Sequence, residues 1–328
     1  MSVQGSFARS LEADRAKAAA SPDWGLFGVI GVGLCYGLAY SLLRLAISDN
    51  LPQDDVTSNI LTQTLQLGYV PRQPRLYEWL LWLVRLLTGP TLPSFFIIKY
   101  GLLTATLAFL YLAATRMFRE KSFAVIAGLS PFLLYQFAWN LHEGVTHSMV
   151  LTCAVAASLW AFMRIAESGR AQDYLLFGLI AALGLISKWG YAGFLLLLLV
   201  GALLQPPLRA RILDRRFLTS LCAAAVVGAP VVYWLIAGEH DLFALYGNSV
   251  APMASDRLHA TAIGLGLTVY APLAFLFPLD ILLPVLFPAM VPKAWESLKC
   301  AVDPPSWREK APDWPLLVLH ITLGGFIL

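Results

Sequence analysis

Apolar segments long enough to cross a bilayer recur along this chain, and they limit its fold more than any other feature. A bilayer core of about 30 Å needs roughly 20 apolar residues in a helix. Segments near this length are predicted at 24–47, 94–115, 123–140, 146–164, 173–187, 190–205, 217–237 and 261–287, with a ninth starting near Trp314. The sequence therefore predicts an all-α polytopic transmembrane helical bundle with about eight or nine membrane helices.

The composition supports a membrane protein and argues against other classes. Of the 328 residues, 58% are hydrophobic and 13% are charged, whereas an ordinary soluble protein has roughly 25% charged residues. The net charge of +3 is too small to indicate nucleic acid as a partner. The four cysteines have no CxxC spacing, and three of them lie in apolar segments, where a thiol behaves as a small apolar group. None is interpreted as part of a disulfide or a metal site.

Basic residues define the predicted orientation. With a cytoplasmic N-terminus, the 23 lysines and arginines lie on the cytoplasmic side with seven exceptions, which are Arg44, Arg72, Arg75, Arg85, Lys99, Lys188 and Arg257. The positive-inside rule favours this arrangement. It predicts a cytoplasmic tail at 1–22, a multi-pass membrane domain at 23–328 and a periplasmic loop at 48–93. In a bacterium the membrane would be the inner membrane.

The loop at 48–93 is unusually polar for so apolar a chain, and it opens with the adjacent carboxylates Asp54 and Asp55. Apolar residues between Val56 and Leu67 recur at helical spacing, which predicts an interfacial helix capped by Asp55. The carboxylates are interpreted either as a general base or metal ligand, or simply as interfacial solubility and a cap. Because adjacent helical residues do not share a face, at most one should point into a site.

Three basic residues near the predicted periplasmic face are candidate phosphate ligands. Lys188 lies between two apolar segments, where a cation is costly unless it faces a cavity or the interface. It is interpreted as a point charge for a phosphate or, alternatively, as a snorkelling anchor. Arg72 and Arg75 suit phosphate or carboxylate recognition, and the alternative is contact with lipid headgroups.

A second group of residues is predicted to line a substrate site. His142, Glu143 and His147 superficially resemble a zinc-protease motif, but HExxH needs its histidines four residues apart and these are five apart. They are therefore assigned to the rim of a site. With the other predicted lining residues, the set is Tyr69, Gln73, Tyr77, His142, Glu143, His147 and Trp189. A lipid phosphate fits this pattern, with its tail among the helices and its phosphate on Lys or Arg.

The order of short motifs resembles a known family. The relevant stretches are Gln53-Asp54-Asp55, Gly68-Tyr69, Gln73-Pro74-Arg75-Leu76-Tyr77-Glu78-Trp79-Leu80, Val145-Thr146-His147-Ser148 and Ile186-Ser187-Lys188-Trp189. Over about residues 24–240 they resemble GT-C glycosyltransferases of the branch similar to protein O-mannosyltransferases and the lipid A aminoarabinose transferase (families 39 and 83). Three departures are Asp55 for the usual Glu, Arg75 for a proline, and His142-Glu143 for the frequent Arg-Asp.

The resemblance implies an inverting transfer from a polyprenyl-phosphate-linked sugar to a hydroxyl of a lipopolysaccharide, a lipid-linked glycan or a protein. Asp54 would be the general base, Asp55 would support it, and Lys188 would hold the departing phosphate. A divalent metal ion could share that role, although the sequence offers no firm ligand set. Family members usually continue through more membrane helices, so the chain is expected to lack the C-terminal part of the fold. The alternatives are a non-catalytic lipid-linked-sugar transporter or flippase and a structural membrane subunit.

Overall fold

The fold is known from a computed structural model, which describes residues 22–71, 73–144, 146–238, 257–289, 292, 295, 296 and 311–325. The helices of these residues are α1 Trp24–Ile47, α2 Gln53–Leu61, α3 Leu76–Thr88, α4 Leu92–Met117, α5 Lys121–Leu129, α6 Tyr135–Ala138, α7 Thr146–Ser168, α8 Ala171–Leu185, α9 Tyr191–Leu203, α10 Pro206–Ile212, α11 Phe217–Ala237, α12 Arg257–Leu276, α13 Leu279–Leu286 and α14 Trp314–Gly325. Short 3₁₀ helices occupy Ser130–Leu133 and Asn140–Glu143.

The predicted all-α, polytopic fold is confirmed in the described part of the chain. Four helices, α1, α4, α7 and α11, are long and apolar enough to cross a membrane. Shorter apolar helices cover Lys121–Leu133, Ala171–Leu185, Tyr191–Leu203 and Trp314–Gly325. These eight elements lie where the sequence predicted membrane helices. The predicted cytoplasmic tail at 1–22 falls outside the described residues except for its last position.

The helices pack in an order that brings distant parts of the chain together. α1 packs on α4, α4 on α7, α7 on α8, and α8 on α11, while α14 packs on α9. Buried apolar residues fill the spaces between them, with Phe162, Phe177 and Leu198 in one cluster and Leu103, Leu107 and Tyr111 in another. The interfacial helix α3 packs against α4 and α7. The connections before α3, before α7 and before α9 therefore meet at one end of the bundle.

Three predicted elements differ from the structure. The segment predicted to span at 261–287 is divided, because α12 ends at Leu276 and α13 begins at Leu279. The segment predicted to span at 123–140 ends as an α-helix at Leu129, because Pro131 lies in the following 3₁₀ turn and proline does not continue a helix. The interfacial helix ends at Leu61 and not near Gly68. Its start is set by Pro52, and no side chain caps it. The predicted capping role of Asp55 is therefore wrong, since Asp55 lies inside the first turn.

Candidate active site

A cavity of about 470 Å³ lies at the end of the bundle where the three connections meet. This volume is within the usual range for small-molecule sites. Its walls come from α2, from the loop before α3, from α3 itself, from the start of α7 and from the connection between α8 and α9. The lining residues are Asp54, Thr57, Ser58, Leu61, Tyr69, Val70, Gln73, Arg75, Glu78, Thr146, His147, Ser148 and Lys188.

Helix α2 gives one of its faces to this cavity. The lining positions 54, 57, 58 and 61 follow the spacing of one helical face. Asp54 is exposed and belongs to that face, whereas Asp55 is 1% exposed and points into the protein. The two adjacent carboxylates thus have different surroundings, as their adjacency on a helix requires.

Asp55 forms a buried ion pair with Lys99 of the spanning helix α4. Asp55 Oδ2 lies 3.6 Å from Lys99 Nζ, and the lysine is 3% exposed. Burial raises the pKa of the Asp55 carboxyl, and the neighbouring ammonium group offsets part of that rise. The other carboxylate oxygen is buried with no hydrogen-bond partner among the described residues. This ion pair links α2 to α4. It fixes the rotation of α2 about its axis, so that Asp54 faces the cavity.

Lys188 reaches the same cavity from the α8–α9 connection. Its Nζ donates a hydrogen bond to Ser148 Oγ at 2.9 Å. The backbone before it is fixed, because Leu76 N donates to Ile186 O at 3.0 Å and Ser187 Oγ donates to Gly184 O at 2.6 Å. An ammonium group held in this way is a defined positive charge in the cavity wall.

Glu78 and His147 form a second polar pair in the wall. His147 Nε2 lies 3.0 Å from Glu78 Oε1, and Ser58 Oγ donates to the same oxygen at 3.5 Å. Glu78 is 3% exposed. Its other oxygen and His147 Nδ1 are buried without a hydrogen-bond partner in the described structure. His147 was predicted to line the site, whereas Glu78 was not assigned a role.

Arg75 lines the cavity and also holds its loop closed. The guanidinium lies 4.2 Å from the centre of the Trp234 ring and donates to Leu67 O. Gly68 lies beside the same indole, and a Cβ at position 68 would come within 2.3 Å of that ring. The Gly68-Tyr69 motif therefore has a packing reason, because only glycine lets the loop approach Trp234 so closely.

The remaining predicted site residues do not line this cavity. Tyr77 is buried behind it, with its ring 5.6 Å from that of His147. Glu143 and Trp189 are exposed outside it. Arg72 lies outside the described residues. The structure thus brings together Asp54, Tyr69, Gln73, Arg75, His147 and Lys188 from the predicted set.

His142 occupies an aromatic cluster of its own. Its ring stacks on Tyr40 at 3.7 Å, and its two nitrogens pair with the hydroxyls of Tyr36 and Tyr100 at 2.9 and 2.8 Å. Burial lowers the pKa of this imidazole to about 4, so it is neutral near pH 7. The cluster holds the connection before α7, whose Gly144 has a φ of 112° and lies against Pro52 and Asp54. His142 thus serves the site by packing and not by lining it.

Lys99 and Glu78 were not assigned to the site from the sequence, although each has a sequence feature that points to a special role. Lys99 is a cation within an apolar segment of spanning length, and such residues are costly unless they are paired. Glu78 is an acid near the start of an apolar interfacial helix. Both are buried, Glu78 in the cavity wall and Lys99 against Asp55. Ser148, the partner of Lys188, gave no such signal.

Comparison with known proteins identifies the family. Residues 72–234 match the model of the dolichyl-phosphate-mannose-protein mannosyltransferase family. Two curated relatives come from Rhizobium johnstonii (strain DSM 114642 / LMG 32736 / 3841). The lipopolysaccharide core galacturonosyltransferase RgtA is 29% identical over 231 residues, which are 70% of this chain and 46% of the relative. RgtB, of the same description, is 30% identical over 193 residues, which are 59% and 39% of the two chains.

The chain therefore spans less than half the length of either relative. No solved structure matches it significantly. The matched region includes Gln73, Arg75, Glu78, His147 and Lys188 of the cavity. Residues 72–234 of the chain therefore form a glycosyltransferase domain of the GT-C type, similar to that of the dolichyl-phosphate-mannose-protein mannosyltransferase family.

Proposed function

We propose that this protein is a membrane glycosyltransferase that moves a sugar from a polyprenyl-phosphate-linked donor to a hydroxyl group of a periplasmic acceptor, with inversion. One observation carries the proposal: a free carboxylate, Asp54, and a fixed cation, Lys188, share one cavity at the end of a membrane bundle. These are the two charges that such a reaction requires. The names of both relatives favour the lipopolysaccharide core as the acceptor.

The cavity residues account for each step of the transfer. Asp54 takes the proton of the acceptor hydroxyl as its oxygen attacks the anomeric carbon of the donor sugar. The bond from that carbon to the phosphate oxygen breaks, and its electron pair stays on the phosphate. The ammonium of Lys188 stabilises the negative charge that grows there, so it favours the transition state over the ground state. Attack opposite the leaving group inverts the configuration.

The other predicted residues fall into supporting roles in this proposal. Asp55 orients Asp54 through its ion pair with Lys99. Tyr69, Gln73 and His147 would contact the sugar from the cavity wall. Arg75 would add positive potential near the donor phosphate, although its guanidinium already serves Leu67 O and Trp234. Arg72 is proposed as a donor ligand on sequence grounds alone.

A divalent metal ion in this cavity would need several ligating side chains. Glu78 and His147 are ligand types for a divalent cation and lie 3.0 Å apart. However, no group of three or more such side chains that could hold a metal ion is present in the described part of the chain.

The proposed orientation predicts where reagents reach the protein. In a variant without native cysteines, Gln53→Cys lies on the exposed start of α2, and Lys121→Cys lies on the exposed start of α5 at the opposite end of the bundle. We expect an impermeant thiol reagent to label position 53 in cells whose outer membrane alone is permeable. Position 121 should require lysis of the inner membrane. The reverse pattern would invert the topology.

Replacement of Lys188 tests the donor site. We expect Lys188→Ala to lower the rate of sugar transfer by roughly 10²-fold or more. The change removes the ammonium group that stabilises the negative charge growing on the departing phosphate. Lys188→Arg should restore only part of the activity, because the guanidinium is larger and planar. The measurement is transfer of radiolabelled sugar from a polyprenyl-phosphate donor to lipopolysaccharide in membranes.

Lys121→Ala is the matched control for Lys188→Ala. Lys121 is an exposed lysine that pairs with Asp23 far from the cavity. Its replacement should leave transfer unchanged. Equal and small losses in both variants would make Lys188 an interfacial anchor and remove the support for a phosphate site.

A further inference from the structure

Arg85, on the interfacial helix α3, carries a charge that no described acid balances. NH1 donates to Asn59 O at 3.3 Å and to Thr62 Oγ1, and NH2 donates to Asn59 Oδ1. Its guanidinium also lies 5.1 Å from the centre of the Phe95 ring. All of these partners are neutral, and no ion pair to Arg85 exists among the residues that the structure describes. A partly buried cation without a counterion is costly, and a bound anion would offset that cost.

The unbalanced charge borders a second cavity, of about 400 Å³. It shares no lining residue with the cavity that holds Asp54. Its walls combine two amide side chains, an indole and the guanidinium, and the full set is Asn59, Thr62, Gln63, Trp82, Arg85, Leu86 and Pro90. Indole faces pack on the apolar faces of sugar rings, amides bind hydroxyls, and a guanidinium binds a carboxylate or a phosphate.

The second cavity lies along the same helix as the candidate base. Asn59 follows Asp54 by five residues on α2, which corresponds to about 8 Å of helix rise. The two residues point to different sides of that helix, because residues five apart differ by about 140° around the axis. A glycan whose reacting hydroxyl meets Asp54 would therefore have to extend around α2 for its next sugars to reach Arg85.

We infer that this second cavity binds a sugar of the acceptor glycan that bears a carboxylate or a phosphate, with Arg85 as its ionic partner and Trp82 as its stacking surface. The inference rests on the proposed transferase function and adds to it a binding site and a charge requirement for the acceptor.

A phospholipid headgroup has the same anionic chemistry and is the competing occupant. Arginine and tryptophan are common at membrane interfaces, where arginine side chains extend freely toward headgroups. Arg85 is instead folded back between α2 and α4, since it contacts Asn59 on one side and Phe95 on the other. A guanidinium fixed in this way, with amides beside it, favours a shaped sugar ligand over a mobile headgroup.

Binding of a soluble acidic glycan tests the inference without any transfer reaction. The probe is trigalacturonate, and its methyl ester is the neutral analogue of the same shape. With full-length protein in phosphatidylcholine nanodiscs, we expect the dissociation constant of the acid to be about tenfold lower than that of the ester. Arg85→Met should abolish this preference, and Arg85→Lys should retain part of it.

The controls separate a binding role from a structural one. Arg116→Met removes an arginine from the far end of α4, where it pairs with Glu167, and should keep the preference. Thermal unfolding of each variant shows whether Arg85→Met has lost its fold. If it has, Trp82→Ala decides the question, because it should weaken binding of trigalacturonate only if the probe lies in the second cavity.

Two results would overturn the inference. One is equal binding of the acid and its ester by the wild-type protein. The other is displacement of trigalacturonate by an equal concentration of glycerol 3-phosphate, which would identify a lipid headgroup as the natural occupant. Neither result bears on transfer itself, because no donor is present. Loss of transfer in Lys188→Ala, in turn, tests the catalytic cavity alone.

Discussion

Asp54→Asn should reduce sugar transfer by about 10²- to 10⁴-fold while leaving the protein folded and able to bind its donor. The amide has nearly the same shape as the carboxylate, but it cannot accept the proton of the acceptor hydroxyl. Asp54 is exposed in the cavity, and no described ion pair depends on it. Its replacement should therefore leave the thermal unfolding midpoint close to that of the wild type.

Asp55→Asn is the matched comparison, because it makes the same chemical change one residue away. Asp55 is buried and pairs with Lys99, so its loss should lower the unfolding midpoint and the yield of folded protein. Transfer per folded molecule should fall less than in Asp54→Asn. Full transfer in Asp54→Asn, with loss in Asp55→Asn at normal stability, would assign the base to Asp55. Retained transfer in both variants would exclude the carboxylate mechanism.

The sequence predicted the membrane helices better than it predicted the loops between them. The limits of α1 were predicted at 24–47 and are observed at Trp24–Ile47, because the polar residues on both sides leave few alternatives. The segment at 123–140 was read as one span from its hydrophobicity. Hydropathy does not register that Pro131 ends the regular helix, so this prediction failed on backbone geometry.

The candidate site was predicted in part for a similar reason. Chemistry-bearing residues in a polar loop of an apolar chain are conspicuous, and Asp54, Arg75 and Lys188 all line the cavity. The sequence of a loop does not show the direction in which each side chain points. His142 and Tyr77 were assigned to the site by proximity along the chain, yet they turn into packed clusters because aromatic partners surround them.

The roles of Asp54 and Asp55 show most clearly what the sequence alone does not predict. Two adjacent carboxylates are equivalent in a sequence, and their adjacency only implies that they point in different directions. Lys99 breaks the equivalence, but it lies 44 positions after Asp55 and on another helix. Only the packing of α2 beside α4 shows that Lys99 pairs with Asp55 and leaves Asp54 facing the cavity.

Lys99→Met should therefore be among the most destabilising single changes near the site. It leaves the Asp55 carboxylate buried without its partner, and removal of one member of a buried ion pair typically costs on the order of 3–5 kcal/mol. Methionine has about the length of the lysine stem. The loss of stability should therefore come mainly from the lost charge and not from lost packing. The measurement is the thermal unfolding midpoint in detergent, with transfer activity recorded on the folded fraction.

The double variant Asp55→Leu with Lys99→Met separates two roles of the ion pair. One is its contribution to the stability of the fold, and the other is its effect on the orientation of Asp54. Replacing both charges with apolar groups of similar volume is often neutral or stabilising, so the double variant should regain most of the lost stability. Its transfer should stay below that of the wild type, since the ionic link that orients Asp54 is gone. Additive losses in the double variant would mean that the two side chains do not interact across 3.6 Å. Full stability together with full transfer would show that Asp54 is oriented by the packing of α2 alone.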